Sequence, residues 1–133
     1  MSTRAIIALP TEKGYITAWR WCDGDPATTG VELRKYFKDE KLVRELIYCH
    51  SFDGIWGPSV LKDEGIMMSV SSGIKFLRKL SNGRYITQTP HMGNVVAGTG
   101  KYGFFRDVEE MLAQDINYLY IFNPKTCEWK TLK

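Results

Sequence analysis

Gly98-Thr99-Gly100-Lys101-Tyr102-Gly103 is a literal G-x-G-x-x-G, the pattern whose glycines let a pyrophosphate approach the backbone at a helix N-terminus. A dinucleotide site also needs an acidic residue about 20 positions on and a second βαβ half. Neither follows Gly103, so the motif reads as a flexible glycine loop. A weaker role survives, in which Gly98, Gly100 and Lys101 bind an anion without a dinucleotide fold. Cys22, Cys49, His50 and His91 are the residues that could hold zinc, but structural zinc ligands come as close pairs separated by two to four residues. Adjacent Cys49-His50 and a solitary Cys22 do not fit, and buried thiols behave as small apolar groups. Asp23-Gly24-Asp25 and Asp53-Gly54 resemble pieces of a calcium loop without its twelve-residue frame or closing glutamate, and read as turns. Cys49 with His50, or Ser51 with His50 or His91, are the candidate nucleophile pairs. Sequence neighbours rarely face each other productively and no nucleophile elbow surrounds a serine, so no catalytic residue is assigned and no metal or cofactor is expected.

Lys75, Arg78, Lys79 and Arg84 form a second kind of cluster, with Phe76 and Tyr85 interleaved around Asn82-Gly83. On a hairpin they make a basic, aromatic-bearing tip that tracks a phosphate backbone or grips an acidic protein surface. The competing reading is a solvated strand edge guarded against aggregation by its charges.

The elements that position these residues follow from periodicity. Thr3 to Leu9 reads as a buried strand, and Tyr15 to Trp21 as an alternating second strand joined to it in a hairpin. Asp23-Gly24-Asp25-Pro26 breaks that strand. Thr29-Gly30-Val31-Glu32 has capping-box spacing ahead of a helix that presents Leu33, Tyr36 and Phe37. Asp39 caps a second helix carrying Leu42, Val43, Leu46 and Ile47. Ser51 to Gly65 reads as loop and Ile66 to Val70 as a strand. Ile74 to Leu80 and Arg84 to Thr89 flank Ser81-Asn82-Gly83 as a hairpin, since both Asn82 and Gly83 tolerate positive φ. Pro90 to Gly103 reads as loop with an extended piece at Asn94 to Ala97, Phe104 to Ala113 as a third helix, and Ile116 to Phe122 with Cys127 to Leu132 as a closing hairpin. Hairpins alternating with helices predict one α+β domain over residues 1–133, with an antiparallel sheet and about three helices.

Composition agrees with that size. The chain has 133 residues, 44% hydrophobic and 25% charged, which suits a globular domain rather than disorder. A net charge of +3 excludes a strongly acidic DNA mimic and permits an acidic partner without requiring one. Three cysteines give no disulfide framework. The apolar run after Arg4 is too short for a signal core, and no stretch approaches the ~20 apolar residues of a membrane span. A cytoplasmic location is therefore expected, with no membrane partner.

Met1-Ser2-Thr3-Arg4, Trp21, Asp23-Gly24-Asp25-Pro26, Gly30 and Tyr36-Phe37 resemble, in order and spacing, the opening of a family of small uncharacterised bacteriophage and prophage proteins. The closing strand Tyr118 to Phe122, followed by Trp129, is similar to that family's end. Members commonly carry Tyr-Cys-His-Trp before Asp-Gly where this chain has Trp19-Arg20-Trp21-Cys22, so no role for that Cys-His pair carries over. The resemblance implies a host-cell setting and no established chemistry.

Three functional expectations follow. The first is an interaction protein that inhibits a host defence protein or ribonucleoprotein, of anti-CRISPR type, through Lys75, Arg78, Lys79, Arg84 and Tyr85. The second is a sponge for a nucleotide second messenger, held by Arg4, Arg20, Trp21, Gly98, Gly100 and Lys101 through stacking and charge. The third is an enzyme acting on such a nucleotide through His50 or His91. A homodimer through the aromatic C-terminal strand is open if that strand lies at a sheet edge.

Overall fold

Ala5 to Leu9 is a five-residue apolar run with no polar alternation, and strands of that kind belong where both faces and both edges are covered. The computed structural model, which describes residues 3–57, 76–88 and 103–133, places it there. Strand β1 (Ala5–Pro10) pairs antiparallel with β2 (Tyr15–Arg20) on one side and parallel with β7 (Tyr118–Asn123) on the other. Its five apolar residues are fully buried.

Between β2 and the next strand lie a π-helical turn (Pro26–Gly30), α1 (Val31–Tyr36) and α2 (Glu40–Ile47). Then β3 (Ser51–Trp56) runs parallel to β2. The remaining described elements are β4 (Phe76–Lys79), β5 (Tyr85–Gln88), β6 (Phe104–Phe105), α3 (Val108–Leu112) and β8 (Glu128–Leu132). The sheet order is β4-β5-β3-β2-β1-β7-β8, with β6 also on β2. The fold is α+β, with three short helices and an eight-stranded sheet among the described residues.

Most pairings are antiparallel, as hairpins require. The departures from an all-antiparallel sheet are β1–β7 and β2–β3. The second closes a βαβ unit, because a parallel neighbour can be reached only by a long crossover and α1 and α2 supply it. That unit stays hidden when β3 is read as loop. Asp53-Gly54 looks like turn punctuation, but here it forms a β-bulge, where the β3–β5 register shifts between Phe52 and Gly54. The Thr87 hydroxyl fills the bulge, accepting from Gly54 N (2.9 Å) and from Trp56 Nε1 (3.2 Å).

Two apolar layers sandwich the sheet. On one face Ala5, Ile7, Leu9, Ala18, Phe52 and Tyr120 meet Leu33, Phe37, Val43, Leu46 and Ile47 from α1, α2 and the turn between them. On the other, Ile6, Ala8, Trp19 and Leu119 meet Phe105 and α3 through Met111. Asp39 caps α2 as its position foretold, accepting from Leu42 N at 2.9 Å. Asp107 caps α3 in the same way. The third helix therefore starts at Val108, and Phe104-Phe105, expected to begin it, pair with Ile16 and Tyr15 instead. The capping box at Thr29–Glu32 does not form. Thr29 Oγ1 donates to Asp23 O at 2.6 Å, and Glu32 turns to Arg20.

The β4–β5 hairpin forms as its Asn-Gly predicts, across the three-residue loop Ser81-Asn82-Gly83. Gly83 N donates to Leu80 O (3.0 Å), Leu80 N donates to Arg84 O (2.8 Å), and of Asn82 and Gly83 only Gly83 has positive φ (84°). The β7–β8 hairpin also forms. Its aromatic strand β7 lies inside the sheet, and β8 is the edge. There Arg34 Nη2 donates to the outward carbonyl of Trp129 (3.3 Å) and to Thr131 Oγ1 (3.2 Å), which blunts the edge against another strand. The strand expected at Ile66 to Val70 and the extended piece at Asn94 to Ala97 lie outside the described residues. No helix among the described residues is long and apolar enough to cross a membrane.

Candidate functional site

Strand β2 has one edge fully taken by β1 and shares the other between two strands running in opposite senses. β3 begins beside Trp19 and runs parallel, while β6 begins beside Ile16 and runs antiparallel. Their starts meet over Thr17 to Trp19 as a fork in the sheet. Thr17 N donates to Gly103 O (2.6 Å) and Trp19 N donates to His50 O (2.7 Å), so the backbone pairing bridges the seam. Both strands enter through left-handed backbone, His50 at φ 62° and Gly103 at φ 67°. A non-glycine residue pays for that conformation, and such residues gather at functional sites.

Alternation along β2 puts Ile16, Ala18 and Arg20 toward α1 and α2, and Tyr15, Thr17, Trp19 and Trp21 on the opposite face. Cluster membership agrees, with Ala18 in the first layer and Trp19 and Trp21 in the second. Ser51 sits across from Trp19 in the parallel register and shares its face, because its neighbour Phe52 packs in the other layer. Trp19 and Trp21 stack with centroids 5.2 Å apart and 29° between planes. Arg4 Cζ lies 6.0 Å from the Trp21 ring centre.

Thr17, Trp19 and Ser51 are buried, and Trp21 is half-buried. Yet Thr17 Oγ1, Trp19 Nε1, Trp21 Nε1 and Ser51 Oγ are removed from solvent with no hydrogen-bond partner. Buried polar groups in folded proteins are nearly always paired. Each unpaired one costs about 1–3 kcal/mol, and four of them gather on one face of β2 and β3. His50 lies at the same fork, its Nδ1 3.6 Å from where a Cβ on Gly103 would stand. Desolvation, and then the Arg78 charge, lower its pKa.

The residues singled out for a nucleotide site divide. Arg4 and Trp21 come together at this face. Gly98, Gly100 and Lys101 lie outside the described residues, but Gly103, which ends their motif, is bonded to Thr17. Arg20 does not join them. It is buried on the opposite face, paired with Glu32, donating from Nε to Cys22 O (2.8 Å) and Asp53 O (3.1 Å), with Phe52 beneath it. It serves as a structural tie rather than a ligand arm. Nothing local in the sequence groups Thr17 and Trp19 with Ser51. The parity of Thr17, Trp19 and Trp21 is visible in sequence, whereas Ser51 needs the parallel pairing to reach them.

The hairpin residues also divide. The tip folds down onto the helices instead of projecting. Arg84 Cζ stacks 3.6 Å from the Tyr36 ring centre, Asn82 Nδ2 donates to Tyr36 O (3.0 Å), and Ser81 donates to Glu45 from both its amide and its hydroxyl. Tyr85 pairs with Trp56 in the ladder. Arg78 and Lys79 are exposed, but as strand neighbours they point to opposite faces. Lys75 lies outside the described residues, as does His91.

Among the described residues no three His, Cys, Asp or Glu side chains gather to hold a metal ion. Burial is the main cause that pushes the Cys49 thiol up to about 11, against the weaker pull of Arg78. Cys49 is buried and Cys127 exposed, so iodoacetamide near pH 8 should alkylate Cys127 readily and leave Cys49 unmodified in the native protein, as read by peptide mass. The folded chain holds the Cys49 proton more tightly than the unfolded one. Its contribution to stability is therefore complete below the ordinary thiol range and falls as pH rises toward about 11. A Cys49→Ala variant, compared in an alkaline titration of stability, should lose that slope.

Among the described residues, depressions lie elsewhere on the molecule. One of about 330 Å³ is lined by Arg34, Phe37, Lys38, Cys127, Glu128 and Trp129, and Arg34 is already committed there to backbone carbonyls. Another, about 520 Å³, lies beside Pro10, Ile121 and Pro124, with Lys125 and Lys130 among its lining residues. Neither gathers unpaired buried groups. No family model, curated protein or solved structure matches the chain.

Proposed function

We propose that the protein is a binding protein whose ligand is a small nucleotide taken up at the fork, with the base stacked on Trp21. The observation that carries this reading is the set of four unpaired buried polar atoms at Thr17, Trp19, Trp21 and Ser51 beside an aromatic stack. Base stacking on an aromatic side chain is worth about 1–3 kcal/mol. Hydrogen bonds that satisfy otherwise unpaired groups add discrimination rather than bulk affinity. The two indole N–H groups only donate, so they call for acceptors, and the hydroxyls can do either. A guanine edge, with its O6 and N7 acceptors, meets that demand.

The resemblance of the opening residues to phage proteins supplies a setting, in which sequestering a nucleotide immune signal blunts a host defence. Inhibition of a defence protein or ribonucleoprotein through the basic hairpin ranks second, because Arg84 is spent on Tyr36 and Arg78 and Lys79 face opposite ways.

A thermal-shift and tryptophan-fluorescence screen against mono-, di- and cyclic nucleotides tests the proposal. A ligand at about 100 times its dissociation constant should add about 2.7 kcal/mol of stability and perturb the Trp19–Trp21 emission. Trp21→Ala should abolish both signals. A flat screen across purine and pyrimidine nucleotides would overturn the reading.

A further inference from the structure

Resting on the nucleotide reading above, we infer that Arg4 is the arm that recognises the ligand's phosphate, and that Asp115 occupies it until the phosphate arrives. The Arg4 backbone is clamped. Its N–H donates to Asn117 Oδ1 (3.0 Å), and its carbonyl accepts from Asn117 N (2.9 Å) and Tyr118 N (3.2 Å). This clamp fixes the start of β1 against β7, so that the side chain alone is left to move. The guanidinium stands over the Trp21 ring, 6.0 Å from its centre, while Trp19 stacks on the same indole. A base that stacks on Trp21 therefore displaces the guanidinium from the ring, and its 5′-phosphate, one ribose away, stays within the arm's reach.

The present partner of Arg4 is easily exchanged. Nη1 contacts Asp115 Oδ2 at 2.7 Å, but the Asp115 side chain is 86% exposed and that of Arg4 35%. Exposed ion pairs of this kind are screened by water and contribute little. A phosphate offers three terminal oxygens and more charge than a carboxylate, and the planar guanidinium fork binds two of them in a bidentate, charge-assisted manner. Asp115 thus competes with the ligand at a single cation. The competition favours phosphorylated ligands over nucleosides, because a phosphate brings charge to Arg4 and a nucleoside only neutral acceptors.

Isothermal titration with guanosine and with guanosine 5′-monophosphate tests this on the full chain. The wild type should bind the monophosphate at least about tenfold more tightly than the nucleoside. Arg4→Gln should bring the monophosphate down to the nucleoside's level without changing nucleoside binding. Asp115→Asn should tighten the monophosphate about 2- to 5-fold, again with the nucleoside unchanged. Both substitutions are at the surface and should leave the melting temperature near that of the wild type. Equal binding of the two probes in all three proteins would overturn the role of Arg4 and leave the nucleotide site standing. Binding of neither probe, with no other nucleotide positive in the screen, would overturn both.

Discussion

Replacing Glu32 with alanine should destabilise the fold by about 3 kcal/mol, because it strands a charge that the structure has taken out of water. The Arg20 side chain is 3% exposed and pairs with the Glu32 carboxylate, whose side chain is 21% exposed. Arg20 also donates to the carbonyls of Cys22 and Asp53. One guanidinium therefore ties the end of β2, the start of the crossover, the first turn of α1 and the middle of β3. Loss of Glu32 leaves the two carbonyls to solvate the cation, which limits the cost without removing it. The measurement is a urea or guanidinium melt, in which the midpoint should fall with little change in slope. Replacing both residues together, Arg20→Met with Glu32→Leu, should recover much of the loss, since well-packed apolar pairs often match buried ion pairs. A single-variant loss below about 1 kcal/mol would show that the pair behaves like a surface contact and that the crossover is held by its apolar residues instead.

Gly54→Ala should cost about 2–3 kcal/mol and loosen the β3–β5 pairing. A Cβ built on Gly54 would stand 2.6 Å from Trp56 Nε1 and 2.8 Å from Cε2. The indole must swing away, and in doing so it gives up its bond to Thr87 Oγ1. Thr87 is 4% exposed, so its hydroxyl loses one of the two donors that satisfy it inside the bulge. Amide exchange should report the damage locally, with faster exchange at Gly54, Ile55 and Ile86 than at β1 and β7. A companion variant, Thr87→Val, removes the hydroxyl and keeps the shape. It should also destabilise, because Gly54 N then loses its acceptor. If Gly54→Ala is neutral while Thr87→Val is not, the indole has room to move and close packing at the bulge is not what glycine provides.

These two positions also show where sequence reasoning reached and where it stopped. Local chemistry was enough for β1 and β2, for the Asp39 cap, for the β4–β5 turn through Gly83 and for the closing hairpin, because each is decided within a few residues by turn chemistry, capping and apolar period. Asp53-Gly54 obeys the same local rules and points the wrong way. Whether Asp-Gly is a turn or a bulge depends on Thr87, 33 residues on, filling the space. With β3 missing, the parallel β2–β3 pair and the crossover that makes it could not be inferred, and an antiparallel sheet was the natural expectation. Glu32 met a similar fate. Its spacing from Thr29 suits a capping box, but the Thr29 amide is buried and donates to Asp25 O (2.9 Å), and the Glu32 carboxylate pairs with the buried arginine on β2.

The candidate site divides along the same line. That Thr17, Trp19 and Trp21 share a face is written in the period of two along β2, and the charge of Arg4 is plain beside them. That Ser51, His50 and Gly103 come to that face is not local information. It follows from two strands sharing one edge of β2 and entering it through left-handed residues. Conversely, Arg20 and Trp21 are neighbours in sequence but are sent to opposite sides of the sheet by the pleat. The sequence determined which residues could stack, donate or carry charge. The tertiary structure decided which of them meet, because the sheet sorts side chains by parity and partner rather than by proximity along the chain.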